Sequence, residues 1–295
     1  MVFLPVRILL LNAALTIHEN SPRLHLLEFF RIMENLNSVV LVLSGKGGVG
    51  KSTVASQLAL FLSQRKRVGI LDADLCGPSV PRLLGLHGKQ VHQSSAGWVP
   101  VYTDQSKRLA VMSIGFLLSN EDDAVIWRGP KKNAMIKDFV NSVAWEGLDY
   151  LVVDAPPGTS DEHISIVEAF SNLRSSGAVL VTTPQAVSMD DVRREITFCS
   201  KANIPIIGLV ENMSGYVCPH CSECTNIFSS GSGEQLCSYA GIPFLGRLPI
   251  DPKLAEAMEH GQNYCLQQPE SEMALLLNRI SEQLDLRLSH EGTNV

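Results

Sequence analysis

The run Gly45-Lys46-Gly47-Gly48-Val49-Gly50-Lys51-Ser52-Thr53 satisfies the spacing G-x-x-x-x-G-K-[ST] in full. Glycines at these positions let backbone N–H groups turn toward phosphate oxygens, and a helix opening at the end of the run adds a favourable dipole. Lys51 is placed to reach the β- and γ-phosphates, and Ser52 to offer a hydroxyl to Mg2+. Lys46 is a second lysine inside the loop. It reads either as a solvated charge or as a neutraliser of phosphate, in its own site or in a neighbouring subunit's. Three carboxylates accompany the loop: Asp72 and Asp74 in Leu71-Asp72-Ala73-Asp74, and Asp154 after Leu151-Val152-Val153. A carboxylate that closes a buried strand is positioned to hold Mg2+ through water. Asp72 serves equally as a cap of a following helix or turn.

Asn212 and the turn Pro249-Ile250-Asp251 stand at two further strand ends and are candidates for the base side of a nucleotide site. An asparagine there is also an ordinary turn former. No N-K-x-D motif of the kind that reads guanine is present, which favours ATP.

A second centre is Cys218-Pro219-His220-Cys221-Ser222-Glu223-Cys224. A C-x-x-C turn brings two thiolates onto one atom or one cluster edge, which suits soft-ligand metals. Cys224 is either a third ligand or a bystander. A zinc loop completed by Cys237 or His220 is the alternative chemistry. Cys76, Cys199 and Cys265 read as apolar fillers, and Cys237, in a helical segment, likewise. The count of seven is odd, and a secreted disulfide scaffold would be shorter and evenly paired.

These residues need a frame. Short apolar runs at Val39–Leu43, Val68–Leu71, Leu109–Met112, Tyr150–Val153, Ala178–Val181, Pro205–Val210 and Phe244–Arg247 alternate with helical spacing over Val54–Gln64, Asn133–Val143, Glu162–Phe170 and Asp190–Ser200. Unbroken apolar strands between helices predict a doubly wound, mostly parallel α/β sheet covered on both faces. Such sheets bind ligands at the carboxyl ends of their strands, where most of the motifs above fall.

With 24 basic against 30 acidic residues, the chain carries no net positive field for coating nucleic acid. No run approaches the ~20 apolar residues of a membrane span. One domain over 38–295, with a cysteine loop at about 214–230, is the simplest division. Residues 1–37 weakly imitate a signal peptide and are expected to form a poorly ordered extension, or a short helix over 24–33. Met33 is an alternative start.

The motif K-G-G-V-G-K-[ST] resembles the deviant P-loop of dimeric ATPases such as MinD, ParA and nitrogenase iron protein. Gly69 to Ser79, Trp127-Arg128-Gly129-Pro130, Asp154 to Asp161 and Asn212-Met213-Ser214 before Cys-Pro-x-Cys narrow the resemblance to the Mrp/NBP family of iron–sulfur cluster assembly ATPases, over about 38–286. The resemblance implies that Lys46 contacts the partner subunit's nucleotide, that Asp74 orients the attacking water, and that the Gly158 N–H senses the γ-phosphate. It implies that Asn212 and the Pro249–Asp251 turn contact adenine. It implies ATP, Mg2+ and a labile [4Fe–4S] cluster held by Cys218 and Cys221 across a dimer. The expected partners are a second copy or a longer relative with four extra cysteines, transfer factors and cytosolic and nuclear apoproteins, in the cytoplasm, without nucleic acid or membrane. The rival reading is a MinD- or ParA-like positioning ATPase with a structural zinc loop.

Overall fold

The computed structural model describes residues 36, 38–95, 97–118, 129–145, 147–159, 161–170, 175–217, 224–225 and 231–291. The strands are β1 (Ser38–Leu43), β2 (Val68–Asp72), β3 (His92–Ser94), β4 (Gly97–Val99), β5 (Val101–Tyr102), β6 (Leu109–Ser113), β7 (Tyr150–Asp154), β8 (Ser175–Thr182), β9 (Ile206–Glu211), β10 (Tyr216–Val217), β11 (Cys224–Thr225) and β12 (Phe244–Arg247). The helices are α1 (Lys51–Ser63), α2 (Val80–Leu83), α3 (Gly129–Ser142), α4 (Asp161–Phe170), α5 (Ala186–Lys201), α6 (Ser232–Ala240), α7 (Pro252–Glu259), α8 (Tyr264–Gln267) and α9 (Glu272–Glu291).

Eight strands form the main sheet in the order β12-β9-β8-β1-β7-β2-β6-β5. All neighbours are parallel except β5, which runs against β6 at one edge. The other edge is β12, whose register against β9 shifts between Phe244 and Gly246. β1 is central and every residue in it is buried. Its side chains alternate between two cores, as strand geometry demands. Val40 and Val42 pack with α1 and α9 on one face, while Val39, Leu41 and Leu43 pack with α3, α4, α5 and α6 on the other. This is why the strand reads as a continuous apolar run.

α1 is buried along most of its length, because α9 covers the side that the sheet leaves open. Leu58, Leu62, Leu277 and Leu284 meet there, each fully buried and worth roughly 1.5–3 kcal/mol. The apolar stripe of α9 is thus spent on the core. No helix among the described residues is long and apolar enough to cross a membrane. Leu36, two residues before β1, already packs into the second core. The expected extension otherwise lies outside the described residues.

Candidate nucleotide site

The phosphate loop leaves β1 and enters α1, as the motif requires. Gly50 caps α1 in the left-handed region (φ 81°), and no side chain caps the helix amides. Those amides are therefore the anion-binding group of the loop. A Cβ on Gly50 would stand 2.2 Å from Asn212 Nδ2, so packing as well as conformation requires glycine there.

Lys51 is buried and ion-paired with Asp154, which is fully inaccessible at the end of β7. The Lys51 ammonium also lies 3.4 Å from the Ser52 hydroxyl. Asp154 Oδ2 is buried and makes no hydrogen bond among the described residues. Asp72, next in register across β2 and β7, is equally inaccessible. Its Oδ2 accepts from Ser113 Oγ and from Val80 N, both at 3.1 Å, so it caps the short helix α2. Burial pushes the Asp72 carboxyl well above its usual range, and Asp154 beside it pushes further. Burial likewise raises Asp154, against the opposing pull of Lys51.

Asp74 lies half-buried in the turn after β2, where its Oδ1 accepts from the amides of Cys76 and Gly77 at 3.3 Å. The Gly158 N–H, expected to read a phosphate, donates to Ser44 O at 2.9 Å. Cys76 differs from expectation: it is exposed in the turn rather than filling the core, because the Asp74 turn carries it outward. Cys199, Cys237 and Cys265 are buried, as apolar fillers should be. Burial raises the Cys237 thiol to about 11, and its Sγ donates to Pro243 O at 3.7 Å.

Residues 35–285 match the family described as ParA, NUBPL iron-transfer P-loop NTPase. The chain belongs to this NUBPL family. It is 62% identical over 250 residues to a protein named cytosolic Fe-S cluster assembly factor NUBP2 homolog from Trichoplax adhaerens, covering 84% of this chain and 94% of that one. It is 60% identical over 247 residues to the cytosolic Fe-S cluster assembly factor NUBP2 of Gallus gallus, covering 83% and 91%. Among solved structures, a nucleotide-binding protein in complex with ADP from Archaeoglobus fulgidus superposes with a TM-score of 0.71 at 37% identity, covering 83% of this chain and 94% of that one. The cell division ATPase MinD of Pyrococcus furiosus shares the fold, with a TM-score of 0.62 at 21% identity, covering 85% and 99%.

In this NUBPL-family NTPase the structure brings Lys51, Ser52, Asp72, Asp154 and Asn212 to one end of the sheet. Asn212 braces the loop itself, donating from Nδ2 to Val49 O at 2.9 Å. Asp251 is the cap of α7, accepting from Lys253 N and Leu254 N, and its other oxygen accepts from the Tyr264 hydroxyl. Pro249 sits between two backbone bonds, Leu248 N to Glu211 O and Ile250 N to Gly215 O. Lys46 donates to Gln185 Oε1 at 3.2 Å within its own chain. Sequence reasoning missed Gln185, although its place just beyond the carboxyl end of β8 marks it. It also missed Ser113 and Glu211, two polar residues that end apolar strands. Cys218 and Cys221 lie outside the described residues, as does the side chain of Cys224. The short ladder of β10 and β11 brackets them.

Proposed function

We propose that this protein is a cytosolic, ATP-dependent scaffold that holds a labile [4Fe–4S] cluster as cargo and passes it to apoproteins. The observation that carries the reading is a complete phosphate loop whose bracing residue, Asn212, opens the segment bearing Cys218 and Cys221. The names of the NUBP2 relatives support the same cargo and compartment.

At the nucleotide, the loop amides and Lys51 bind phosphate, and Thr53 follows Ser52 in the first turn of α1. The unpartnered Asp154 oxygen and the Ser52 hydroxyl are hard oxygen donors of the kind Mg2+ prefers. When bound, Mg2+ neutralises phosphate charge. Asp74 orients the attacking water, and Lys46 serves the partner subunit's nucleotide after leaving Gln185. Asn212 and Pro249 border the base, with Asp251 fixing that turn through its helix cap.

At the cargo, Cys218 and Cys221 from each of two facing subunits supply four thiolates, the usual complement of such a cluster. The second subunit is another copy or a longer relative with four additional cysteines. The test is anaerobic reconstitution with iron and sulfide, with absorption, iron, sulfide and mass measured together. The expected result is about four iron per dimer, lost in Cys218→Ala and Cys221→Ala and largely kept in Cys224→Ala. Four iron on a stable monomer, or zinc in place of iron with no sulfide, would overturn it.

A further inference from the structure

Glu211 ends β9 and is fully inaccessible, an unusual place for a carboxylate. Its oxygens are committed in three directions. One accepts from Ser214 Oγ at 2.7 Å, in the turn that leads into β10. The other accepts from Gly233 N at 2.7 Å, in the first turn of α6, where the chain returns from the cysteine-bearing segment. Arg247 of β12 approaches with Nε 3.3 Å from Oε1, and it also pairs with Glu234 of α6. One buried carboxylate therefore ties the departure and the return of that segment to the sheet. The next residue, Asn212, holds Val49 O of the phosphate loop through its side chain and Thr182 O of β8 through its amide. The two roots, of the phosphate loop and of the cysteine segment, thus meet in adjacent residues.

We propose that Glu211 and Asn212 form the coupling element between the two sites: the state of the phosphate loop is felt by Asn212 and passed through Glu211 to the residues that anchor the cysteine segment. The proposal rests on the scaffold reading for the nature of the cargo. Its physical basis is local. A buried, charge-assisted network has few satisfactory arrangements, because any displaced member leaves a desolvated group without a partner. A shift of the Val49 carbonyl therefore moves Asn212, and the Glu211 network follows as a unit or breaks. Coupling of this kind is reciprocal: if ATP alters the hold on the cargo, the cargo alters the affinity for ATP by the same factor. Glu211 is fully inaccessible and acts as a positioning residue.

The test uses the full chain, as wild type, Glu211→Gln and Gly233→Ala. The glutamine keeps the shape and removes the charge. The alanine keeps the charge, but its Cβ would stand 2.7 Å from Glu211 Oε2 and displaces the carboxylate. Two measurements are made with ATP and with ADP. The first is the rate at which a ferrous chelator strips iron from reconstituted protein. The second is amide hydrogen exchange over 212–217 and 231–236 without iron. In wild type the nucleotide should change the stripping rate by about fivefold or more and alter exchange in both segments. Both variants should keep ATP affinity and iron content while the nucleotide effect falls to near unity. A nucleotide effect of full size in both variants overturns the proposal, as does exchange at 231–236 in wild type that ignores ATP. Exchange that responds in wild type only, in a protein that takes up no iron, upholds the coupling and removes the scaffold reading instead.

Discussion

Asp72 and Asp154 stand opposite one another across β2 and β7, two inaccessible carboxyl groups on one ledge, with the Lys51 ammonium against the second. Lys51 thus has two tasks, binding phosphate and neutralising a buried charge. Lys51→Ala should weaken ATP binding by on the order of 1.5–3 kcal/mol. It should also cost about 3–5 kcal/mol of stability, because Asp154 is left buried without its cation. The double variant Lys51→Ala/Asp154→Ala should recover most of the stability and none of the affinity. Urea denaturation alongside ATP titration checks this, and equal stability of single and double variants would refute it.

Lys46 should separate catalysis from binding. Lys46→Ala is expected to keep ATP affinity and lose most of the ATPase activity, because its role lies in the partner's site. Gln185→Ala removes the contact that holds Lys46 within its own chain, and should promote ATP-dependent dimerisation. Mass measurement with ATP, and activity of Lys46→Ala mixed with Lys51→Ala, are the checks. Strictly additive activity in the mixture, with a monomeric mass, would contradict the shared site.

Glu195 gives α5 a pH dependence. It is buried, and neither carboxyl oxygen has a hydrogen-bond partner among the described residues. Burial, with Asp191 one turn away, raises it from 4.5 to about 7. The folded state then binds the proton more tightly than the unfolded chain, so stability falls as pH rises through this window and levels off above it. Glu195→Gln should abolish that fall, gaining roughly 1–3 kcal/mol over wild type at pH 8 and little at pH 4.5. Parallel denaturation curves of the two proteins across the window would show that Glu195 is not the cause.

Asp251 is predicted to act through structure. Asp251→Ala removes the cap of α7 and the acceptor of the Tyr264 hydroxyl, and should cost about 1–2 kcal/mol of stability. The preference for ATP over GTP should be unchanged. A lost preference in a protein of normal stability would place Asp251 directly on the base.

Much of this was legible in the sequence because the central strands are buried on both sides. Val39 to Leu43 leaves no polar position to disguise a strand, and Phe244–Arg247 coincides with β12. Apolar spacing places a helix over Val54–Gln64, whereas the helix begins three residues earlier, since its first turn is the phosphate loop itself and carries no apolar periodicity. The β3–β4 hairpin escaped notice because His92, Gln93 and Ser94 are exposed and polar. In the site, motif residues could be placed by spacing, as with Lys51 and Asp154. Partnerships between distant segments could not. Nothing in the sequence joins Lys46 to Gln185, Asn212 to Val49, or Glu211 to Gly233, because each contact depends on how strand ends converge.

The two ends of the main sheet limit how copies of this chain can associate. β5 contributes two residues, and β12 contributes four with a break in register and Arg247 lying over the Phe244 ring. Among the described residues, neither border presents a long regular row of open N–H and C=O groups on which a foreign strand could be templated. Growth by adding sheet to sheet is therefore discouraged, and concentrated protein should resist fibre formation. Under the dimeric reading proposed above, a contact through side chains at the strand ends would leave the association reversible and open to control by the bound nucleotide.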